Sequence, residues 1–192
     1  MPLSQSEVLD LFRATGAFLE GHFRLSSGLH SSKYLQCALV LQHPRHAETL
    51  GRALAERVPA EVHVVASPAL GGLIIGHEVA RALGVRHVFT ERDAERRMTL
   101  RRGFRIAPGE RVLIVEDVIT TGGSSLEVAE VVRGLGGQVA AAASIIDRSG
   151  GAADLGVPRV ALAVLAVETW PPAECPLCAQ GIPVEKPGSR PA

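Results

Sequence analysis

The sequence predicts an α/β fold in which a mostly parallel central sheet is flanked by helices. Short runs rich in Val, Ile, Leu and Ala alternate with segments of helical spacing. Near-continuous apolar runs of strand length are typical of strands buried on both faces, and their alternation with helices favours parallel crossovers. The predicted strands span residues 62–67, 85–90, 111–115, 139–146 and 160–167.

The elements before this sheet are less regular. Ser4 and Glu7 have the spacing of a capping box, which predicts a helix that begins there and ends before Gly21. Residues 23–37 predict two short extended pieces around a turn, because Gly and Ser interrupt the pattern. Pro44 then opens a helix predicted to reach Pro59.

Two further helices are predicted between the strands, over residues 71–83 and 124–135, and Gly136 closes the second. Residues 90–103 form a polar insert between two strands. Polar loops of this length often serve as mobile lids, so we expect a lid here. The alternative is a solvated β-hairpin with alternating charges.

Composition narrows the class of protein. The 192 residues are 46% hydrophobic and 21% charged, which fits one globular domain and excludes a disordered chain. Twenty basic and twenty acidic residues give no net charge, so we expect neither nucleic acid nor a membrane surface as a partner. Three cysteines cannot build a disulfide framework, and no signal peptide is evident, so a cytoplasmic location is expected.

The strongest candidate site follows the strand at residues 111–115. Two acids, Glu116 and Asp117, precede a turn of Thr, Gly and Ser that opens a helix. Small residues at a helix N-terminus expose backbone N–H groups that can hold a phosphate, whereas the acids suit sugar hydroxyls with Mg²⁺ nearby. The alternative is an acidic, well-capped helix start. The Gly-Lys-Ser/Thr and GxGxxG signatures of other phosphate-binding loops are missing.

The run VLIVEDVITTGGSS at 112–125 resembles the phosphoribosyl pyrophosphate signature of the type I phosphoribosyltransferases, with Glu116 where the family often has Asp. The resemblance implies that family's fold, with a small N-terminal hood, and Mg²⁺ as cofactor, held mainly through substrate phosphates, with Glu116 or Asp117 as candidate protein ligands. It also implies a phosphoribosyl pyrophosphate site made of Glu116, Asp117, Val118, Ile119, Thr120, Thr121, Gly122, Gly123 and Ser124.

Other segments resemble the orotate phosphoribosyltransferases more narrowly. Residues 23–34 are similar to the hood segment that closes over the base in that family, and residues 145–148 to its strand-end Asp-Arg pair. Residues 67–72 are similar to its pyrophosphate loop, although a Lys is often found there. The implied pyrophosphate-loop contacts are Ala69, Leu70 and Gly71, and the implied orotate contacts are Thr120, Arg148 and Ser27.

Arg148 suits this role because a planar guanidinium can pair with the carboxylate of orotate through two hydrogen bonds. The alternative for Arg148 is a surface ion pair with Asp147 or Asp154.

The family's lid carries a catalytic Lys that reaches the neighbouring subunit's site, but Lys occurs here only at positions 33 and 186. The resemblance therefore implies that Arg92 begins the family's basic cluster and that Arg96 or Arg97 replaces the Lys, with Asp117 as the remaining catalytic candidate. Arginine stabilises pyrophosphate charge but cannot readily donate a proton.

The resemblance implies a Mg²⁺-dependent homodimeric enzyme that transfers ribose 5-phosphate from phosphoribosyl pyrophosphate to orotate. The alternatives are a purine phosphoribosyltransferase and a non-catalytic sensor of phosphoribosyl pyrophosphate. The implied organisation is an N-terminal helix and hood over 1–42, a core over 43–170 with a lid near 91–103, and an extension over 171–192.

Cys175 and Cys178 have zinc-knuckle spacing, but the chain has no second pair of this kind. We expect a short structural turn, with metal binding or a shared dimer site as alternatives. His22, His30 and His77 fall near predicted site loops and are expected to be ordinary polar residues, since no pairing in the sequence indicates a metal.

Overall fold

The computed structural model describes residues 3–25, 27–59 and 61–187. The helices are α1 (Gln5–Ala14), α2 (Cys37–Leu41), α3 (Pro44–Ala55), α4 (Gly72–Leu83), α5 (Gly123–Gly134) and α6 (Pro176–Ala179), with a 3₁₀ turn at Pro172–Glu174. The strands are β1 (Phe18–Arg24), β2 (His30–Leu35), β3 (Val64–Pro68), β4 (Arg86–Arg92), β5 (Met98–Leu100), β6 (Arg111–Ile119), β7 (Gln138–Asp147) and β8 (Arg159–Val164).

The central sheet has the strand order β5-β4-β3-β6-β7-β8, and only the β4–β5 pair is antiparallel. Two hydrophobic clusters cover it. One joins α1, α3 and α4 to the sheet through Val8, Leu50 and Ile75, and the other uses Val128 and Val132 of α5. Burial on both faces explains why the strands show little polar alternation, and it confirms the predicted α/β fold.

The first helix is shorter than predicted. Its capping box is present, with Ser4 N–H donating to Glu7 Oε2 (2.8 Å) and Glu7 N–H to Ser4 Oγ (3.3 Å). However, the helix ends at Ala14, and Leu19 belongs to β1. Gly16 has a φ of +67°, which turns the chain out of the helix and into the strand.

Strands β1 and β2 form a separate two-stranded antiparallel sheet, the small sheet. The two predicted extended pieces are therefore confirmed, with β1 starting earlier than predicted. The C-terminal segment pairs with both strands: His30 and Trp170 exchange backbone hydrogen bonds, and Arg24 N–H donates to the Glu185 carbonyl (2.8 Å). Ser26 in the predicted turn, and residues 188–192 of the predicted loose tail, lie outside the described residues.

Three boundaries in the core also differ from prediction. Helix α3 ends at Ala55 rather than Pro59, and β8 ends at Val164 rather than Val167. Strand β6 continues to Ile119, because its pairing with β7 extends to the Ile119–Asp147 pair. Glu116 and Asp117 are therefore strand residues and not loop residues.

The insert at residues 90–103 contains a β-hairpin, in which Arg92 pairs with Met98 and Thr90 with Leu100. This is the β-hairpin that the alternative interpretation predicts, and a role as a mobile lid stays a prediction. The hairpin makes β5 the edge strand of the central sheet. None of the helices in the described parts of the chain is long and apolar enough to cross a membrane.

The buried face of β4 makes stability depend on pH through His87. Its Nε2 lies 3.1 Å from Ser67 Oγ, and burial, followed by the charge of His77, lowers its pKa from 6.5 to about 4. Between these values the unfolded chain binds a proton that the folded chain does not, so the free energy of unfolding falls as the pH decreases.

As the pH falls from 6.5 to about 4, we expect His87 to lower the free energy of unfolding by about 1–2 kcal/mol. The effect is no larger because His87 is partly exposed to solvent. Urea unfolding at several pH values measures it. His87→Gln should reduce the slope of stability against pH, and His43→Gln, at an exposed histidine, should not. Equal slopes for His87→Gln and the unmodified chain would contradict this assignment.

Candidate active site

The carboxyl ends of β6 and β7 form the floor of the candidate site. Parallel strands in register end at the same edge of a sheet, and ligands bind there in open α/β sheets. Asp117 lies near the end of β6, and Arg148 follows β7 directly, with its N–H donating to the Ile119 carbonyl at 2.8 Å. Neighbouring strands thus place an acidic residue, Asp117, and a basic residue, Arg148, at one edge of the sheet.

The turn after β6 leads into α5, whose first N–H groups have no partner inside the helix. Gly122 has a φ of +83°, and a Cβ there would lie 2.6 Å from Leu155 Cδ2, so the turn requires glycine. Helix α5 begins at Gly123. Backbone donors at such a helix start attract an anion, as predicted for this segment.

Glu116 and Asp117 carry perturbed carboxyl groups. Burial raises the pKa of Glu116 to about 7, although Ser125 Oγ donates a hydrogen bond to its Oε2 at 2.5 Å. Burial also raises the pKa of Asp117, against a hydrogen bond of 2.9 Å from the Val118 N–H. Burial makes the charged form of both carboxyls costly, so a cation or hydroxyl donors that stabilise this form are favoured as their ligand.

The segment 69–71 packs against Asp117 from the neighbouring strand β3. The Ala69 N–H donates to the Thr90 carbonyl at 2.8 Å, and Leu70 is exposed. A Cβ on Gly71 would lie 2.6 Å from Asp117 Oδ1, so a larger residue there would displace the carboxylate. The structure therefore brings together the two segments that the resemblance implies for one substrate.

A cavity of about 510 Å³ lies above Asp117 and Arg148. Ser27, Val118, Thr120 and Thr121 also line it, as the sequence interpretation requires of one pocket. Glu116 instead faces α5, and no contact of the segment 69–71 with this cavity is found in the described residues. The remaining predicted residues, Ile119, Gly122, Gly123 and Ser124, form the end of β6 and the turn into α5 beside it.

Several residues of the cavity wall were not singled out in the sequence. Arg24 and Tyr34 come from the small sheet, Gln36 from its end, and Lys186 from the C-terminal segment. Arg24 and Tyr34 lie within or beside the hood-like motif, so that motif could have indicated them. Lys186 is distant in sequence from every motif, and only the folded chain places it here.

Arg148 has an unusual environment for a guanidinium. It is largely buried, and its Nε has no hydrogen-bond partner within the described residues. Burial lowers its pKa, with the neighbouring Tyr34 opposing the shift. Asp147 pairs with Arg159 at 2.5 Å, and Asp154 accepts from the Gly156 N–H. The alternative of an ion pair between Arg148 and either acid is therefore wrong.

The three candidate lid arginines lie away from this cavity. Arg92 donates to Glu127 Oε2 at 2.6 Å, and Arg97 pairs with Asp93 at 3.1 Å. Arg96 occupies the hairpin turn with a φ of +63°. Within one chain, the structure does not bring these side chains to Asp117 or Arg148.

Comparison with known proteins identifies the family. Residues 39–160 match the family described as "Phosphoribosyl transferase domain". Over 98% of its length, the chain is 58% identical to the orotate phosphoribosyltransferase of Pelotomaculum thermopropionicum (99% of that protein covered) and 54% identical to that of Desulforamulus reducens (98% covered). The chain belongs to the orotate phosphoribosyltransferase family.

A solved member supports the same assignment at the level of the fold. The crystal structure of orotate phosphoribosyltransferase from Aeropyrum pernix is 29% identical and superposes with a TM-score of 0.67, covering 82% of this chain and 93% of that one. The resemblance inferred from the motifs is thus confirmed. The matched domain contains β6, α5 and the 90–103 hairpin, whereas the relatives also cover the small sheet and the C-terminal segment.

Proposed function

We propose that this chain transfers ribose 5-phosphate from phosphoribosyl pyrophosphate to orotate, giving orotidine 5′-monophosphate and pyrophosphate in de novo pyrimidine synthesis. The observation that carries this proposal is the side chain of Arg148, whose buried Nε has no hydrogen-bond partner among the described residues, in the cavity beside Asp117. A buried guanidinium nitrogen without a partner favours an anionic ligand, and among pyrimidine and purine bases orotate carries a carboxylate.

The proposed site divides phosphoribosyl pyrophosphate among three segments. The turn at 120–124 binds the 5-phosphate through backbone N–H groups and hydroxyls. Asp117, with Glu116 beneath it, accepts hydrogen bonds from the ribose hydroxyls. The segment 69–71, which packs on Asp117, holds the pyrophosphate through its backbone. Arg148 binds the orotate carboxylate, and Thr120 and Ser27, which also line the cavity, contact the base.

The donor set also fits Mg²⁺ as cofactor. Two buried carboxyls with raised pKa, Glu116 and Asp117, lie at the carboxyl end of β6, and carboxylate oxygens are the ligands that Mg²⁺ prefers. Asp117 is the residue placed to hold the ion together with the ribose hydroxyls and substrate phosphates. When bound, Mg²⁺ offsets the negative charge that develops on departing pyrophosphate.

We assign the stabilisation of the remaining negative charge on the leaving pyrophosphate to Arg92, Arg96 and Arg97 of a second subunit. For this reason we propose a homodimer. The hairpin that carries them is at the edge of the sheet and away from its own cavity. Arg92 and Arg97 would exchange Glu127 and Asp93 for pyrophosphate oxygens. Because arginine stays protonated, these side chains act by electrostatic stabilisation and not by proton donation.

The test follows orotate absorbance with phosphoribosyl pyrophosphate and Mg²⁺, with adenine and hypoxanthine in parallel reactions. Loss of orotate that depends on both additions, with no reaction of the purines, is the expected result. Turnover of a purine instead would favour the purine transferase. Saturable binding of phosphoribosyl pyrophosphate without turnover of any base would favour the sensor.

A further inference from the structure

Four metal-ligating side chains meet outside the cavity, where the C-terminal segment crosses the small sheet. His22 is on β1, His30 is on β2, and Cys175 and Cys178 flank the start of α6. Their ligand atoms all lie within 4.8 Å of one another. His22 and His30 therefore lie beside each other and beside both cysteines, contrary to the expectation that no pairing indicates a metal.

The distances resemble those of a tetrahedral site. His22 Nε2 lies 2.8 Å from His30 Nδ1, 3.5 Å from Cys175 Sγ and 3.6 Å from Cys178 Sγ, and His30 Nδ1 lies 3.2 Å from Cys178 Sγ. A tetrahedral zinc ion with ordinary bond lengths separates nitrogen from nitrogen by about 3.3 Å and nitrogen from sulfur by about 3.6 Å. All four contacts lie within about 0.5 Å of these separations.

We propose that His22, His30, Cys175 and Cys178 bind one structural zinc ion. Two nitrogens and two sulfurs form a common ligand set for structural zinc, and it leaves no coordination position open. His22, His30 and Cys175 are buried, so water has little access to complete a different geometry.

The backbone prepares His22 for this role. Its Nδ1 lies 2.7 Å from the Ile182 carbonyl, which fixes the proton on Nδ1 and leaves the Nε2 lone pair directed at the cluster. An outer partner of this kind is typical of metal-bound histidine. Cys175 precedes α6 and Cys178 lies in its first turn, so the short Cys-Pro-Leu-Cys helix presents both sulfurs on one side.

The site would fasten the segment that contributes to the cavity wall. The backbone pairs His30–Trp170 and Arg24–Glu185 bracket the segment that contains the two cysteines. Beyond the second pair the chain reaches Lys186, and beyond β1 it reaches Leu25, and both residues line the cavity. Zinc would therefore fix these two pieces of wall to each other at a point outside the cavity.

The experiment measures metal content in the full-length chain, which does not depend on the proposed enzymatic activity. Protein prepared under reducing conditions is mixed with Zn²⁺, separated from free ion by gel filtration and analysed by mass spectrometry of the metal. We expect about one zinc per chain, and less than about a tenth of that in Cys175→Ser and Cys178→Ser. Cys37→Ser, which removes the third cysteine, should retain the metal.

Replacement of zinc by Co²⁺ gives a second readout that needs no variant. The expected spectrum has the thiolate charge-transfer and intense visible bands of a tetrahedral cobalt site. Chelation of the zinc should lower the thermal unfolding midpoint, because metal bound only to the folded chain stabilises it. His22→Gln should lose the cobalt spectrum, whereas His43→Gln should retain it.

Three outcomes would overturn the proposal. The first is wild-type protein that retains no zinc or gives an octahedral cobalt spectrum. The second is a Cys175–Cys178 disulfide that forms under the same reducing conditions, seen in the mass of the intact chain. The third is zinc that persists in both cysteine variants but is lost in Cys37→Ser, which would place the ion at Cys37 instead.

Discussion

Replacing Arg148 by alanine is expected to raise the KM for orotate by about 100-fold or more, while the KM for phosphoribosyl pyrophosphate changes less than about threefold. Arg148 lines the cavity, and its buried Nε has no hydrogen-bond partner among the described residues. A desolvated, charge-assisted pair with the substrate carboxylate is worth several kcal/mol when one member is removed. Steady-state kinetics with each substrate varied in turn measures the difference.

Two comparisons sharpen this result. Arg148→Lys keeps the charge but loses the planar fork, so its KM for orotate should fall between those of the unmodified chain and the alanine variant. Arg133→Ala, at an exposed position in the last turn of α5, should leave both constants unchanged. An equal loss for both substrates in Arg148→Ala would contradict the proposed orotate contact.

Replacing Asp117 by asparagine is expected to lower kcat/KM for phosphoribosyl pyrophosphate by about 1000-fold, on the scale of removing a central charged contact in the transition state. The substitution keeps the shape of the side chain and removes the negative charge proposed to meet the ribose hydroxyls and Mg²⁺. Activity measured against phosphoribosyl pyrophosphate and Mg²⁺ concentration checks the prediction.

The same variant should be at least as stable as the unmodified chain. Burial raises the pKa of Asp117, so the ionised carboxyl costs folding free energy at neutral pH, and a neutral amide avoids that cost. Thermal unfolding without substrates measures this effect, and Asp10→Asn at the surface of α1 provides the matched control for both assays. A drop in activity accompanied by an equal drop in stability would indicate a structural role instead.

The fold could be predicted because its decisive signal is local. Strands β3, β6 and β7 are buried on both faces, and uninterrupted apolar runs mark such strands whatever surrounds them. The ends of helices and strands depend on partners that are more distant in the sequence. Leu19 continues the helical pattern of α1, but its place is set by pairing with Tyr34 in β2. Likewise, β6 passes the end of its apolar run because β7 continues beside it.

The candidate site likewise contains residues that are adjacent in the sequence and residues that only the fold brings together. The acids and the turn after β6 are contiguous in the chain, so their chemistry could be read as one motif. The zinc cluster could not, because Cys175 lies 153 residues from His22 and its neighbours in sequence carry no second ligand pair. Backbone contacts between distant segments, such as the pairing of Trp170 with His30 and of Glu185 with β1, bring these halves together.

The small sheet described above has a mechanical consequence. Among the described residues, neither β1 nor β2 pairs with a strand of the central sheet. The cavity is therefore bounded by two bodies: the central sheet holds Asp117 and Arg148, and the small sheet with its attached C-terminal segment holds the opposite wall. Among the described residues no ladder hydrogen bond joins these two bodies, and side-chain packing, such as that of Leu35 in the core cluster of the central sheet, connects them instead.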